Sequence, residues 1–114
     1  MTVRLGNVTV DCADPLRVAG FWSAALDRRI DEGASEWFAS IGIGDDTQPG
    51  WFFIRVPEDK TAKNRMHVDL RADDRDAEVS RLLALGARRH GDYDEHGHQW
   101  TTLLDIEDNE FCVS

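Results

Sequence analysis

No apolar run in this chain approaches the length of a membrane span. The opening Met1-Thr2-Val3-Arg4 also lacks the apolar core of an export signal, so a cytoplasmic protein with no membrane partner is expected. Cysteine is scarce. Cys12 and Cys112 are the only two, both in strand-like patterns, and without an export signal they read as reduced thiols rather than a staple. Positive charge is scarce as well, with 13 Lys and Arg against 22 Asp and Glu, a net charge of −9. At a pI of about 4.7 the average surface repels phosphate backbones, and no basic cluster is strong enough to suggest a nucleic-acid partner. The 114 residues suffice for one compact domain and not for two independent cores.

What is present alternates. In Asn64-Arg65-Met66-His67-Val68-Asp69-Leu70-Arg71, the polar residues His67, Asp69 and Arg71 share one strand face, and Val68 and Leu70 share the other. Such a strand puts an imidazole, a carboxylate and a guanidinium side by side on a face that can line a cavity. Leu5 to Cys12 has the same alternation, with Asn7, Thr9 and Asp11 opposite Val8 and Val10. Asp14-Pro15 then opens a helix whose buried stripe is Val18, Phe21, Trp22, Ala25 and Leu26. Asp27 to Asp31 is expected to end the helix and begin a second, more polar strand, and strands follow over Glu36 to Ile43 and Trp51 to Val56, with a loop through Gly44-Asp45-Asp46 and Pro49-Gly50.

After a charged connector, Asp73-Asp74 caps a second helix with Val79, Leu82 and Leu83 as its stripe and Gly86 as its stop. Strands follow over Ala87 to Tyr93, Gln99 to Ile106 and Glu110 to Val113, the first two separated by a Gly-containing turn over Asp94 to His98. The order strand, helix, three strands thus occurs twice. At an offset of sixty positions Asn7-Val8-Thr9-Val10 lies over His67-Val68-Asp69-Leu70, and Asp14 lies over Asp74. The expected fold is α+β: two tandem βαβββ modules, residues 1–57 and 64–114 joined by connector 58–63, forming one domain. Their strands should make a curved, partly closed eight-stranded sheet around a pocket, with the helices outside.

This pattern resembles the glyoxalase-like domains of the vicinal oxygen chelate superfamily, which includes glyoxalase I, bleomycin-resistance proteins and extradiol dioxygenases. The segments that carry the resemblance include Asp11-Cys12-Ala13-Asp14-Pro15, Arg55-Val56-Pro57, Lys60 through Leu70, and Asp105 through Val113. Metal-using members place a ligand on the first and last strand of each module, which the resemblance carries onto Asn7, Ile54, His67 and Cys112. Of these only His67 is a common ligand; Ile54 offers no donor atom, and Cys112 would add a soft thiolate. No metal ligand set and no cofactor are therefore expected, although a divalent metal is not foreign to the fold.

The candidate site residues are His67 as acid or base, and Asn7, Thr9, Asp11, Phe52, Ile54, Asp69, Arg71, Trp100 and Cys112 as ligand-binding wall. His67 reads equally as a hydrogen-bonded structural histidine, and Asp69 with Arg71 as an ion pair that only holds the sheet. His96-Gly97-His98 and the Lys60, Lys63 and Arg65 cluster read as solvated segments, the latter able to flank a pocket mouth. The resemblance implies a protein that binds or sequesters a small organic molecule, for which an acidic chain suggests a cationic one. The alternative is a lyase or isomerase that uses His67 with or without a weak metal. Family habit also implies a homodimer.

Overall fold

The computed structural model describes residues 2–45 and 49–114. Asp46, in the expected loop, lies outside them. The chain divides into two compact units, Met1–Asp59 and Lys60–Ser114.

The first unit builds a three-stranded sheet in the order β1 (Asn7–Cys12), β3 (Gly50–Arg55), β2 (Phe38–Ile41). β1 runs parallel to β3 and β2 antiparallel to it. Helix α1 (Pro15–Leu26) begins where predicted: Asp14 accepts the Arg17 N–H at 3.2 Å, and Pro15 holds the first turn. Its stripe of Val18, Ala19, Phe21, Trp22 and Ala25 is buried, and Trp22 stacks on Trp51 of β3 at 5.1 Å. Leu26, expected in the stripe, is only half-buried. Because side chains alternate, the opposite sheet face carries Asn7, Thr9, Asp11, Phe52 and Ile54.

The second unit repeats this plan with a complete edge. Its sheet has the order β4 (Val68–Leu70), β7 (Glu110–Val113), β6 (His98–Leu104), β5 (Arg88–Glu95), with β4 parallel to β7 and the other pairs antiparallel. Helix α2 (Arg75–Ala84) is capped by Asp74, whose carboxylate accepts the Ala77 N–H at 3.1 Å. Val79 and Leu82 are buried, and Gly86 takes a φ of 118° just after the helix, with Ala87 N–H returning to the Leu82 carbonyl. The hairpin between β5 and β6 turns on His96 and Gly97, both at positive φ. This two-residue turn lets both strands run further than the expected Asp94–His98 loop allowed.

The expected eight-stranded sheet is corrected to seven strands in two separate sheets among the described residues. The missing strand is Asp27–Asp31, which survives only as a single bridge between Ile30 and Ile41. Asp27 adopts the left-handed conformation to end α1, so the chain enters this edge late. Asp31 then spends its carboxylate on Ser40 Oγ and the Gly42 and Ile43 N–H groups. Burial alone would raise the Asp31 carboxyl, but these three hydrogen bonds and the charge of Arg28 hold it below the ordinary value. No helix among the described residues is long and apolar enough to cross a membrane.

Candidate functional site

The exposed face of the second unit's sheet bounds a cavity of about 600 Å³. The strand register puts its lining in rungs. Asp69 of β4 pairs with Cys112 of β7, Cys112 with Thr102 of β6, and Thr102 with Gly91 of β5. One step along, Ser114 exchanges backbone hydrogen bonds with Leu70 and Ala72, which sets it beside Arg71. Trp100 and Tyr93 pair with each other and continue that rung.

At the β4 end, His67 Nδ1 lies 2.8 Å from Asp69 Oδ1 and 3.9 Å from Cys112 Sγ. Cys112 Sγ is also 3.4 Å from Thr102 Oγ1. Burial pushes the Cys112 thiol above its ordinary range, and the negative charge of Asp69 adds to this against the opposing hydrogen bond from Thr102. A nucleophilic relay would need cysteine and carboxylate on opposite ring nitrogens. Both face Nδ1 here, so the trio does not form such a relay. When Nδ1–H donates to Asp69, Nε2 keeps its lone pair and is the atom able to take a proton.

Beside this trio Glu110 is buried and fixes the connector. Its carboxylate accepts from Lys60 Nζ at 2.6 Å and from the Asn64 N–H at 2.8 Å. Burial would raise this carboxyl, but the two hydrogen bonds and the charges of Lys60 and Lys63 hold it below its ordinary value. The turn leading into β7 is held by buried Asp105, which accepts from the Glu107 and Asn109 N–H groups and from Asn109 Nδ2.

Of the residues expected from sequence, His67, Asp69, Arg71, Trp100 and Cys112 line this cavity together. Asn7, Thr9, Asp11, Phe52 and Ile54 lie on the sheet of the first unit and are not among its lining residues. The expected Asp69–Arg71 ion pair is absent among the described residues, since Asp69 turns to His67 instead. His96 and His98, expected to be solvated loop, line the cavity, as do His90 and Lys63. All four histidines of the chain therefore border one space. Alternation through β6 signals His98 beside Trp100 and Thr102, whereas His90 at a register shift and His96 in the turn follow no such pattern.

A sequence profile described as a glyoxalase-like domain matches residues 7–114. The chain belongs to that family. No curated protein sequence matches it. Among solved structures, this glyoxalase-like chain is similar to a glyoxalase/bleomycin resistance protein/dioxygenase family enzyme from Burkholderia phytofirmans PsJN. The TM-score is 0.79 at 19% identity, over 97% of each chain. It is also similar to a variant of the genomically encoded fosfomycin resistance protein of Listeria monocytogenes complexed with Mn(II) and dihydroxypropylphosphonic acid. There the TM-score is 0.80 at 12% identity, covering 99% of this chain and 90% of the other. A third, described as oxidase ChaP-H2, gives a TM-score of 0.71 at 16% identity over 99% and 93% of the two chains. At these identities the likeness defines the fold.

The register revises one position that the family pattern assigned. Cys112 pairs with Asp69, and the residue that pairs with Thr9, the repeat partner of Asp69, is Phe52 rather than Ile54. Neither offers a donor, so the first unit gains no ligand from the change. The second unit does gain one. His67, Asp69 and Cys112 bring a nitrogen, an oxygen and a sulfur donor within 4.8 Å of one another. That donor set can hold a divalent cation: three protein donors with an open position is a catalytic-zinc arrangement, and the thiolate favours zinc over manganese. The sequence-based expectation missed Asp69 as a donor because the family pattern has no ligand two residues after the first.

Proposed function

We propose that this glyoxalase-like domain binds a small organic molecule in the cavity of its second unit, without relying on the family's usual divalent-metal centre. The cavity carries the proposal: its volume of about 600 Å³ lies within the range of small-molecule sites, and it combines an aromatic wall with a few convergent polar groups. Asn7 and Phe52, at the positions where metal-using relatives carry ligands, support the second part. Where an ion is taken up, His67, Asp69 and Cys112 are the residues that would hold it. It would polarise a ligand oxygen as a Lewis acid.

A fragment library screened by thermal shift and amide NMR tests the first part. Binding that moves the resonances of His67, Trp100 and Cys112 is expected; fragments that stabilise the protein without moving them refute it. Metal analysis of protein purified without chelator tests the second part. A stoichiometric, tightly held ion would refute it, and loss of that ion in Cys112→Ala would assign it to the triad.

The 2.8 Å His67–Asp69 contact favours a second reading, a lyase or isomerase with His67 Nε2 as base. A carboxylate on Nδ1 fixes the tautomer that catalysis requires. In that case His67→Gln abolishes turnover while leaving ligand affinity within about threefold, a proton-transfer role being worth roughly 10² to 10⁴ in rate. Equal losses of affinity and turnover would assign His67 to binding alone.

A further inference from the structure

The lining of the cavity carries a stacked aromatic pair seated on a glycine. Tyr93 and Trp100, paired across β5 and β6, stack with centroids 5.4 Å apart and planes 19° apart. The Tyr93 ring lies back over Gly91, two residues earlier on the same strand face. A Cβ at Gly91 would sit 3.0 Å from Tyr93 Oη and 3.2 Å from two of its ring carbons. Gly91 also follows a register shift that places His90 as the extra residue of the strand. Any larger residue at 91 would displace the ring, so the bare backbone is what lets the two rings stack, and the outer face of that stack is the aromatic platform.

The same rung ends in an unpaired cation. Arg71 lies beside Ser114, Ser114 faces the Trp100 position, and the guanidinium makes no ion pair with a described residue. Of the three carboxylates that line the cavity, Asp69 is engaged with His67 and Glu110 with Lys60, and Glu95 lies on β5 at the sheet edge opposite β4. Lys63 lines the cavity as well, so two cations stand among its carboxylates. Two strand spacings, about 10 Å, separate β4 from β6. Two fused rings with a directly attached anionic group match that span.

We infer that the cavity selects planar aromatic anions, with the ring system on the Tyr93–Trp100 platform and the acidic group on Arg71. A cationic ligand, suggested by the overall charge, meets the wrong partner on this rung. The inference rests on the cavity being the binding site, and it adds which chemistry that site takes. An arginine gives a carboxylate or phosphonate two parallel donors, and stacking rewards a flat ring over a puckered one of equal size.

Calorimetric titration of the whole protein tests it with three probes: 2-naphthoate, neutral 2-naphthylmethanol and saturated decalin-2-carboxylate. Naphthoate should bind at least tenfold more tightly than either of the others. Arg71→Gln should reduce naphthoate to the level of naphthylmethanol and leave naphthylmethanol within twofold. Tyr93→Leu and the strand-compatible Gly91→Val should each weaken both naphthyl probes at least fivefold and spare decalin-2-carboxylate, with thermal melts confirming folded variants. Equal affinity for the saturated acid overturns the platform. Equal affinity for the alcohol, or an indifferent Arg71→Gln, overturns the anion anchor. No heat from any probe at millimolar concentration overturns the ligand class, and the cavity itself still stands if other fragments shift its resonances. If no fragment does, the cavity assignment fails first.

Discussion

Cys112 lies 3.4 Å from a hydroxyl and 3.9 Å from an imidazole, yet its thiol is pushed up rather than down. Proximity to histidine activates a cysteine only when the ring offers a positive charge, and here Asp69 supplies a negative one to the same neighbourhood. At pH 7.5 iodoacetamide should therefore label Cys112 slowly, with the rate still rising above pH 9. Removing the negative charge in Asp69→Asn should speed labelling at pH 7.5 several-fold, because one pKa unit changes the thiolate fraction about tenfold. Mass spectrometry reads both the site and the rate, and Cys12, buried in β1, should stay unlabelled in the folded protein. A faster reaction at pH 7.5 than free cysteine shows would contradict this account. His67 and Asp69 were legible from alternation alone. The thiol's inertness was not, because it depends on burial and on the Asp69 charge that the register of β4 and β7 sets beside it.

Strand β7 brings Glu110 and Cys112 to the cavity, and its approach is set by one buried side chain. Asp105 satisfies the N–H groups of Glu107 and Asn109, while the Asp105 N–H bonds back to the Asn109 carbonyl. Asp105→Ala removes the carboxylate that these half-buried donors share and should cost about 1–3 kcal/mol in chemical denaturation. Asp105→Asn keeps an acceptor and should recover part of the loss; equal losses would show that charge, not hydrogen bonding, holds the turn. The helix caps at Asp14 and Asp74 were visible in the sequence because a cap needs only local residues. The strand at Asp27–Asp31 was misjudged for the opposite reason. Its pattern allows a strand, but left-handed Asp27 ends α1 late, so only the Ile30–Ile41 bridge and the Asp31 N–H bond to the Ser40 carbonyl join β2 there. The β5–β6 hairpin was drawn too short because His96, a non-glycine residue at positive φ, gives little warning of a two-residue turn.

Among the described residues, each unit holds one carboxyl below its ordinary value: Asp31 in the first and Glu110 in the second. A carboxyl depressed by folding contributes stability that is fully present above its unfolded pKa, about 3.9 for Asp and 4.3 for Glu. That contribution is lost as the pH falls through the folded value, because the unfolded chain then binds more protons. Stability should be flat in these two groups from pH 7 to about 5 and fall steeply below about 4. Glu110→Gln removes the charged acceptor of Lys60 and should cost about 1.5–3 kcal/mol at pH 7, the range for a charge-assisted hydrogen bond. Since wild-type Glu110 is itself neutralised in acid, the gap between the two proteins should narrow at pH 3. Asp31→Asn should narrow in the same direction with a smaller gap, since Asp31 is less buried. Urea titrations at pH 7, 5 and 3 measure all three proteins. A gap for Glu110→Gln that is constant with pH would mean that shape rather than charge ties the connector to β7, and would remove the electrostatic account of how Lys63 is held beside the cavity.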